Sequence, residues 1–88
     1  MSTVSVTLIG KPGCHLCDDA REVIRGVIAD LPDGEPEVGV EERDILQDAE
    51  LYEKYVEEIP VVLIEGRVHT YWRVDPTRLR SALLDAAS

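Results

Sequence analysis

Phenylalanine is absent from the sequence, and tryptophan occurs once. The core is therefore expected to come from Val, Ile and Leu, with Trp72 and the three tyrosines as its only large rings. Cations are scarce too: nine Lys and Arg stand against eighteen Asp and Glu, a net charge of −9. Nucleic acid and anionic membranes select basic surfaces, so neither is expected as a partner. The same charge favours a monomer. Long apolar runs are missing: the longest aliphatic one, Val61-Val62-Leu63-Ile64, falls far short of the roughly 20 residues of a membrane span. The opening MSTVSVTLIG has neither a basic start nor an apolar stretch of signal-peptide length. The cytoplasm is the expected compartment, and a permanent structural disulfide is not expected there.

At 88 residues, 44% hydrophobic and 31% charged, the chain has the composition of one globular domain spanning residues 1–88. A chain of this length buries only roughly two-thirds of its unfolded surface, which leaves no room for a second core.

Thr3 to Ile9 alternates with apolar residues at 4, 6 and 8, a half-buried strand, and Gly10-Lys11-Pro12-Gly13 breaks it. From Leu16 the apolar positions 16, 20, 23, 24, 27, 28 and 31 have helical spacing, with Asp18, Asp19 and Glu22 near the positive end of the dipole. The segment Leu31 to Pro36 ends that helix. Glu37 to Arg43 reads as a short strand, and a helix follows from about Asp48. Val61 to Glu65 is a β-branched strand, and Glu65-Gly66-Arg67 turns into a partner strand, Val68 to Trp72. Asp75-Pro76 is an N-cap with proline at the first helical position, and Leu79, Ala82, Leu83 and Ala86 give the closing helix its buried face. The order βαβαββα predicts an α/β fold. Its first two strands are parallel through a crossover, its last two form a hairpin, and helices cover both faces.

Both cysteines lie in Gly13-Cys14-His15-Leu16-Cys17, at the change from strand to helix. Residues i and i+3 in a helical turn lie about 5–6 Å apart at Cα, within the range of about 4.4–6.8 Å that a disulfide spans. Cys14 falls where backbone N–H groups lack intrahelical partners, and such donors favour a thiolate. Cys17, one turn inside, is expected to be more buried and to attack a mixed disulfide formed at Cys14. Lys11 favours the thiolate, whereas Asp18 and Asp19 oppose it. His15 is placed to tune the couple. Two other readings stay open. The cysteines could be inert core fillers. They could also bind metal, with His15 and His69 as further ligands, or Cys14 from two chains could hold an iron–sulfur cluster with external thiols in a non-enzymatic carrier. Residues 14 and 15 point apart, however, and no second Cys-x-x-Cys exists. No metal or other cofactor is expected for the redox couple.

The cysteine pair at the first strand–helix junction resembles the thioredoxin fold, and Lys11-Pro12-Gly13-Cys14-x-x-Cys17 resembles glutaredoxins. Glu58-Ile59-Pro60 before the third strand and Glu65-Gly66-Arg67 at the hairpin extend the likeness over most of the chain. It implies a four-stranded mixed sheet flanked by helices, and a thiol–disulfide oxidoreductase with Cys14 as nucleophile and Cys17 as resolving thiol. It also implies a cis bond before Pro60, with Ile59 pairing to the extended backbone of a bound thiol substrate, and substrate contacts from Lys11 and Asp75. The substrate class so implied is a disulfide-containing protein or a low-molecular-weight thiol. The sequence departs from the pattern in two places. Cys-His-Leu-Cys replaces the usual Cys-Pro-Tyr-Cys. Thr70-Tyr71 stands where glutaredoxins carry a glycine pair, which speaks against glutathione as the natural thiol. The string Tyr71-Trp72-Arg73-Val74-Asp75 is similar to a group of small bacterial glutaredoxin-like proteins. Trp72 and Tyr71 either line a groove or, as expected here, pack into the core and the sheet edge.

Overall fold

The computed structural model describes residues 3–32 and 36–87, so residues 33–35 of the helix-ending segment lie outside it. The elements follow the predicted order: β1 (Thr3–Gly10), α1 (His15–Ala29), β2 (Glu37–Asp44), a short 3-10 turn (Ile45–Gln47), α2 (Ala49–Tyr55), β3 (Val61–Ile64), β4 (Arg67–Tyr71) and α3 (Pro76–Ala87). The sheet order is β2-β1-β3-β4. β1 and β2 are parallel, while β1–β3 and β3–β4 are antiparallel.

Alternation along β1 decides the layering. Val4, Val6 and Leu8 point to one face and join Val62, Ala20, Ile24 and Val27 of α1, and Leu79 and Leu83 of α3. Ile9 and Val61 point to the other face, against Ile45 and Tyr55. One sheet thus separates α1 and α3 from α2, and each fully buried Leu or Ile contributes roughly 1.5–3 kcal/mol.

The starts of α2 and of the 3-10 turn before it are both set by polar side chains. Asp48 accepts the N–H groups of Glu50 and Leu51 at 3.0 and 3.2 Å, and Asp44 caps the preceding turn through Leu46 N–H at 2.8 Å. The β3–β4 turn places Glu65 and Gly66 at φ of 52° and 78°, the pair of left-handed residues that a two-residue type I′ hairpin requires. Glu65 N–H donates to Ser5 O at 2.8 Å and its carboxylate accepts Ser5 N–H at 2.9 Å, which fastens the turn to β1.

Four expectations are corrected. β1 does not break before Gly10, because its parallel pairing continues to Gly10 opposite Asp44. Of the large rings only Tyr55 is buried, and Trp72, Tyr71 and Tyr52 are exposed, so the core is almost wholly aliphatic. Leu16 is exposed at 37%, because Cys17, Ala20, Ile24 and Val27 set the inward face of α1 one residue round from it. Ala86 is likewise exposed, the inward positions of α3 being Leu79 and Leu83.

Candidate functional site

The four strands bring one residue each to the same end of the sheet. Gly10 pairs with Asp44. The antiparallel registers Ile9–Val61 and Val61–Tyr71 then carry the row on from Gly10 to Pro60 and from Pro60 to Trp72. The last link is a direct hydrogen bond, from Trp72 N–H to Pro60 O at 2.7 Å. Helix α1 starts five residues beyond Gly10, and its Cys17 stands against Gly10 in this row.

Cys14 is the N-cap of α1, in extended conformation (φ −98°, ψ 112°). Its Sγ accepts the N–H of Cys17 at 3.1 Å and its carbonyl accepts Asp18 N–H at 3.1 Å. Caps are normally oxygen-bearing side chains; here sulfur takes that place, and the same donor favours an anionic sulfur when the thiol is free. Gly13, at φ 76°, turns the chain into this cap. Cys14 and Cys17 are joined as a disulfide with Cα atoms 5.2 Å apart. Cys14 is half-buried and Cys17 is 1% exposed. The expected difference in burial is present: Cys14 keeps some exposure and Cys17 is enclosed.

Cys17 packs so tightly on β1 that a Cβ at Gly10 would stand 2.7 Å from its Sγ and 3.2 Å from its Cβ. The sequence reading treated Gly10 only as a strand breaker. A glycine at the strand end four residues before the first cysteine is a signal for such close approach.

Charge around the pair is organised by Arg21, which also went unnoticed. Its Nε and Nη2 donate to the Glu42 carboxylate at 2.8–3.0 Å, and its Nη1 donates to Asp18 at 2.8 Å. Those hydrogen bonds hold the Glu42 carboxyl below its ordinary range. They also raise the pKa of the guanidinium, so it stays charged. Asp18, expected to oppose an anion at Cys14, thus shares its charge with Arg21. The i, i+3 half of this cluster is readable in sequence; its Glu42 arm depends on sheet register and is not.

Of the remaining candidate residues, Lys11 shares a groove with Cys17, and the others are placed by their own elements. Lys11 is exposed and, with Pro12, Cys17, Arg21, Glu42 and Asp44, borders a groove of about 360 Å³ on the β2 side. His15 is exposed on the first helical residue. The Ile59–Pro60 peptide is cis, as the resemblance implies. Pro60 is buried and Ile59 half-buried, and the backbone N–H and carbonyl of Ile59 have no hydrogen-bond partner among the described residues. Asp75 caps α3, its Oδ1 accepting the N–H groups of Thr77 and Arg78 at 2.9 and 3.3 Å. His69 lies on β4, where burial and then the nearby Arg78 push its pKa below the ordinary 6.5. Among the described residues no group of three or more His, Cys, Asp or Glu could hold a metal ion, and no helix is long and apolar enough to cross a membrane.

Trp72 departs furthest from expectation. Its φ is +63°, a region that costs a bulky side chain of order 1–2 kcal/mol, yet it is 55% exposed. Its indole N–H donates to Glu57 O at 3.2 Å.

Known proteins match this architecture along most of the chain. The family model described as glutaredoxin-like domain (DUF836) matches residues 5–84. The Mycobacterium bovis protein Mb0520 is 31% identical over 81 residues, covering 92% of this chain and 84% of that one. The X-ray structure of protein XcR50 from X. campestris is 33% identical with a TM-score of 0.71, over 94% of this chain and 99% of that one. Oxidized mitochondrial thioredoxin 3 from Saccharomyces cerevisiae, 16% identical, superposes with a TM-score of 0.63 over 93% of this chain and 77% of that one, a likeness of fold. With its cysteine pair at the head of α1 and its mixed four-stranded sheet, this chain belongs to the glutaredoxin-like domain family and has the thioredoxin-like fold.

Proposed function

We propose that the protein is a thiol–disulfide oxidoreductase that works through the Cys14–Cys17 couple. The Cys14 thiolate attacks one sulfur of a substrate disulfide, forming a Cys14–substrate bond as the substrate S–S bond breaks and the other substrate sulfur leaves as a thiolate. Cys17, deprotonated, then attacks the Cys14 sulfur and releases the second substrate thiolate. Two electrons pass from the cysteine pair to the substrate, and the two leaving thiolates take up the protons that Cys14 and Cys17 gave up to solvent. An external dithiol or thiol reductant reopens the Cys14–Cys17 bond.

The observation that carries this reading is the asymmetric pair itself: Cys14 Sγ at a helix N-cap, accepting a backbone N–H, with Cys17 enclosed behind it. In the same proposal Lys11 and His15 modulate charge beside Cys14. Ile59, with unpaired backbone groups next to Pro60, supplies a strand-like edge for an extended substrate. The second oxygen of Asp75 receives a cationic substrate group. The setting proposed is the cytoplasm, with the protein acting as a monomer on disulfide-bearing proteins rather than on glutathione.

Exchange with 2-hydroxyethyl disulfide, followed by mass spectrometry, tests the roles. Cys14→Ser is expected to abolish exchange. Cys17→Ser is expected to stop at a mixed disulfide whose added mass equals one substrate half. Retained exchange in Cys14→Ser, with loss in Cys17→Ser, reverses the assignment.

A further inference from the structure

The exposed indole of Trp72 has no packing explanation. A ring driven to the surface at positive φ is normally unfavourable, and burial does not compensate here. Its position is nonetheless over-determined. Trp72 N–H is bonded to Pro60 O and its Nε1 to Glu57 O. The Thr70 hydroxyl donates to Arg73 O at 3.1 Å, and Arg73 N–H donates to Tyr71 O at 2.7 Å. The only donor of the indole is spent on the main chain, so the rest of the ring is an apolar face held in place. The Tyr71 ring stands 6.4 Å away, tilted by 52°.

That face borders a groove of about 160 Å³ between α1 and the turn that leads into α3. The opposite wall is Leu16, with Ala20 and Val23 beyond it, and Val74 completes the apolar lining. Leu16 lies between the two cysteines in sequence and is the other exposed apolar residue of the groove. One wall therefore belongs to the cysteine motif, and the other is hydrogen-bonded to the cis-proline. The groove's size and lining suit one apolar side chain at the edge of the cysteine motif.

Charge narrows the occupant. The lining holds one acid, Asp19, and one base, Arg73. Beyond it Glu57 and Glu58 directly precede Ile59, and Glu57 O holds the indole, on a chain of net charge −9. Acidic ligands are repelled here and basic ones are drawn in. We propose that Trp72 and Leu16 form a specificity cleft for the redox couple, and that its occupant is an apolar side chain next to the cysteine of an extended, positively charged protein segment. This deepens the redox reading above and rests on it for the chemistry, though not for the binding.

Trp72 is the only tryptophan in the chain, so its emission reports occupancy directly. The probes are two lysine-bearing peptides, one with leucines flanking its cysteine and one with serines. Each is used as the homodisulfide for kinetics, and with serine in place of cysteine for binding. The non-reactive leucine peptide is expected to blue-shift Trp72 emission at concentrations about tenfold lower than the serine peptide needs. In kinetics, Trp72→Ala is expected to lower kcat/KM for the leucine disulfide about tenfold more than for the serine disulfide, with Trp72→Phe in between. Equal losses on both peptides, an emission that neither peptide moves, or faster turnover of oxidised glutathione than of the leucine disulfide overturns the cleft. If Cys14→Ser keeps full exchange, the redox reading fails alone, and the emission titration still decides whether the cleft binds.

Discussion

Replacing Gly10 by alanine adds one carbon at the tightest point of the site. The new Cβ would stand 2.7 Å from Cys17 Sγ and 3.2 Å from Cys17 Cβ, against ordinary non-bonded separations of about 3.5–4.0 Å. Roughly 1 Å must be found. The φ of Gly10 lies outside the left-handed range, so the substitution perturbs packing rather than backbone. β1 has little freedom to retreat, because it is the inner strand between β2 and β3 and is paired with Asp44 at this very residue. The displacement falls on Cys17. With the disulfide closed, its sulfur is tied to Cys14; with the bond open, it can rotate about Cα–Cβ. Overpacking of a tight site costs about 1–3 kcal/mol, and most of that is expected in the oxidised state. Since about 30 mV corresponds to 1.4 kcal/mol for a two-electron couple, Gly10→Ala should make the potential less negative by roughly 20–60 mV. Equilibration of wild type and variant in glutathione buffers, quenched by alkylation and counted by mass, measures this. Urea midpoints taken in both oxidation states give an independent check, with the larger loss expected in the oxidised protein. An unchanged potential together with equal midpoints would refute the claim that Gly10 is reserved for Cys17.

Other substitutions probe separate parts of the molecule. The His69 pKa is depressed, so the unfolded chain takes up the proton more readily. Stability is then complete above pH 6.5 and falls as pH drops from there through the folded value; His69→Gln should flatten that part of a urea-midpoint profile, and an unaltered slope would count against it. The Glu42 carboxyl is also depressed, and its contribution is present above its ordinary 4.5 and lost as pH falls below it. Because this ion pair is exposed, Arg21→Gln should cost at most about 1 kcal/mol, and less in high salt; a larger, salt-independent loss would mean that Arg21 does something else. Leu83→Ala, at a position with no exposure, should cost about 2–5 kcal/mol. Leu46→Ala, at 59% exposure, should stay within about 0.5 kcal/mol; comparable melting-temperature losses for the two would contradict the layering described.

Much of the fold is legible because local signals and tertiary demand coincide. The alternation at Val4, Val6 and Leu8 names the face of β1 that meets α1 and α3, and Glu65-Gly66 can hardly be anything but a tight hairpin turn. Asp75-Pro76 marks the start of α3 and the Asp75 side chain caps it. The cysteine pair was readable for the same reason, since its spacing and its place at a helix start are both local. What escaped depends on partners distant in sequence. Nothing near Trp72 signals that its indole will bond to Glu57 and leave its face in solvent; hydrophobicity alone places a lone tryptophan inside. Glu42 meets Arg21 only after parallel pairing brings β2 alongside β1. The close contact at Gly10 likewise exists only once α1 has been laid back over the strand.

The four strand ends bear on why a site forms at this edge at all. Each contributes a residue that a strand interior would not favour: Asp44, whose side chain turns to cap the next segment; Gly10, which has no Cβ; Pro60, which has no N–H; and Trp72, at positive φ. Every one of them stops the ladder or clears space. Glycine lets the buried cysteine approach the sheet, proline leaves the preceding residue unpaired, and Trp72 closes the row by bonding to the proline carbonyl. Together they convert a sheet end, which would otherwise continue pairing or be covered, into a shallow floor beneath a helix N-terminus. On that floor stands the helix-capping sulfur of half-buried Cys14. In the proposed function the reactivity of Cys14 follows from its cap and its choice of disulfide from the row below, so the two are expected to separate by mutation: substitutions in the row are expected to change selectivity between substrates, and substitutions in the cap to change reactivity toward all of them.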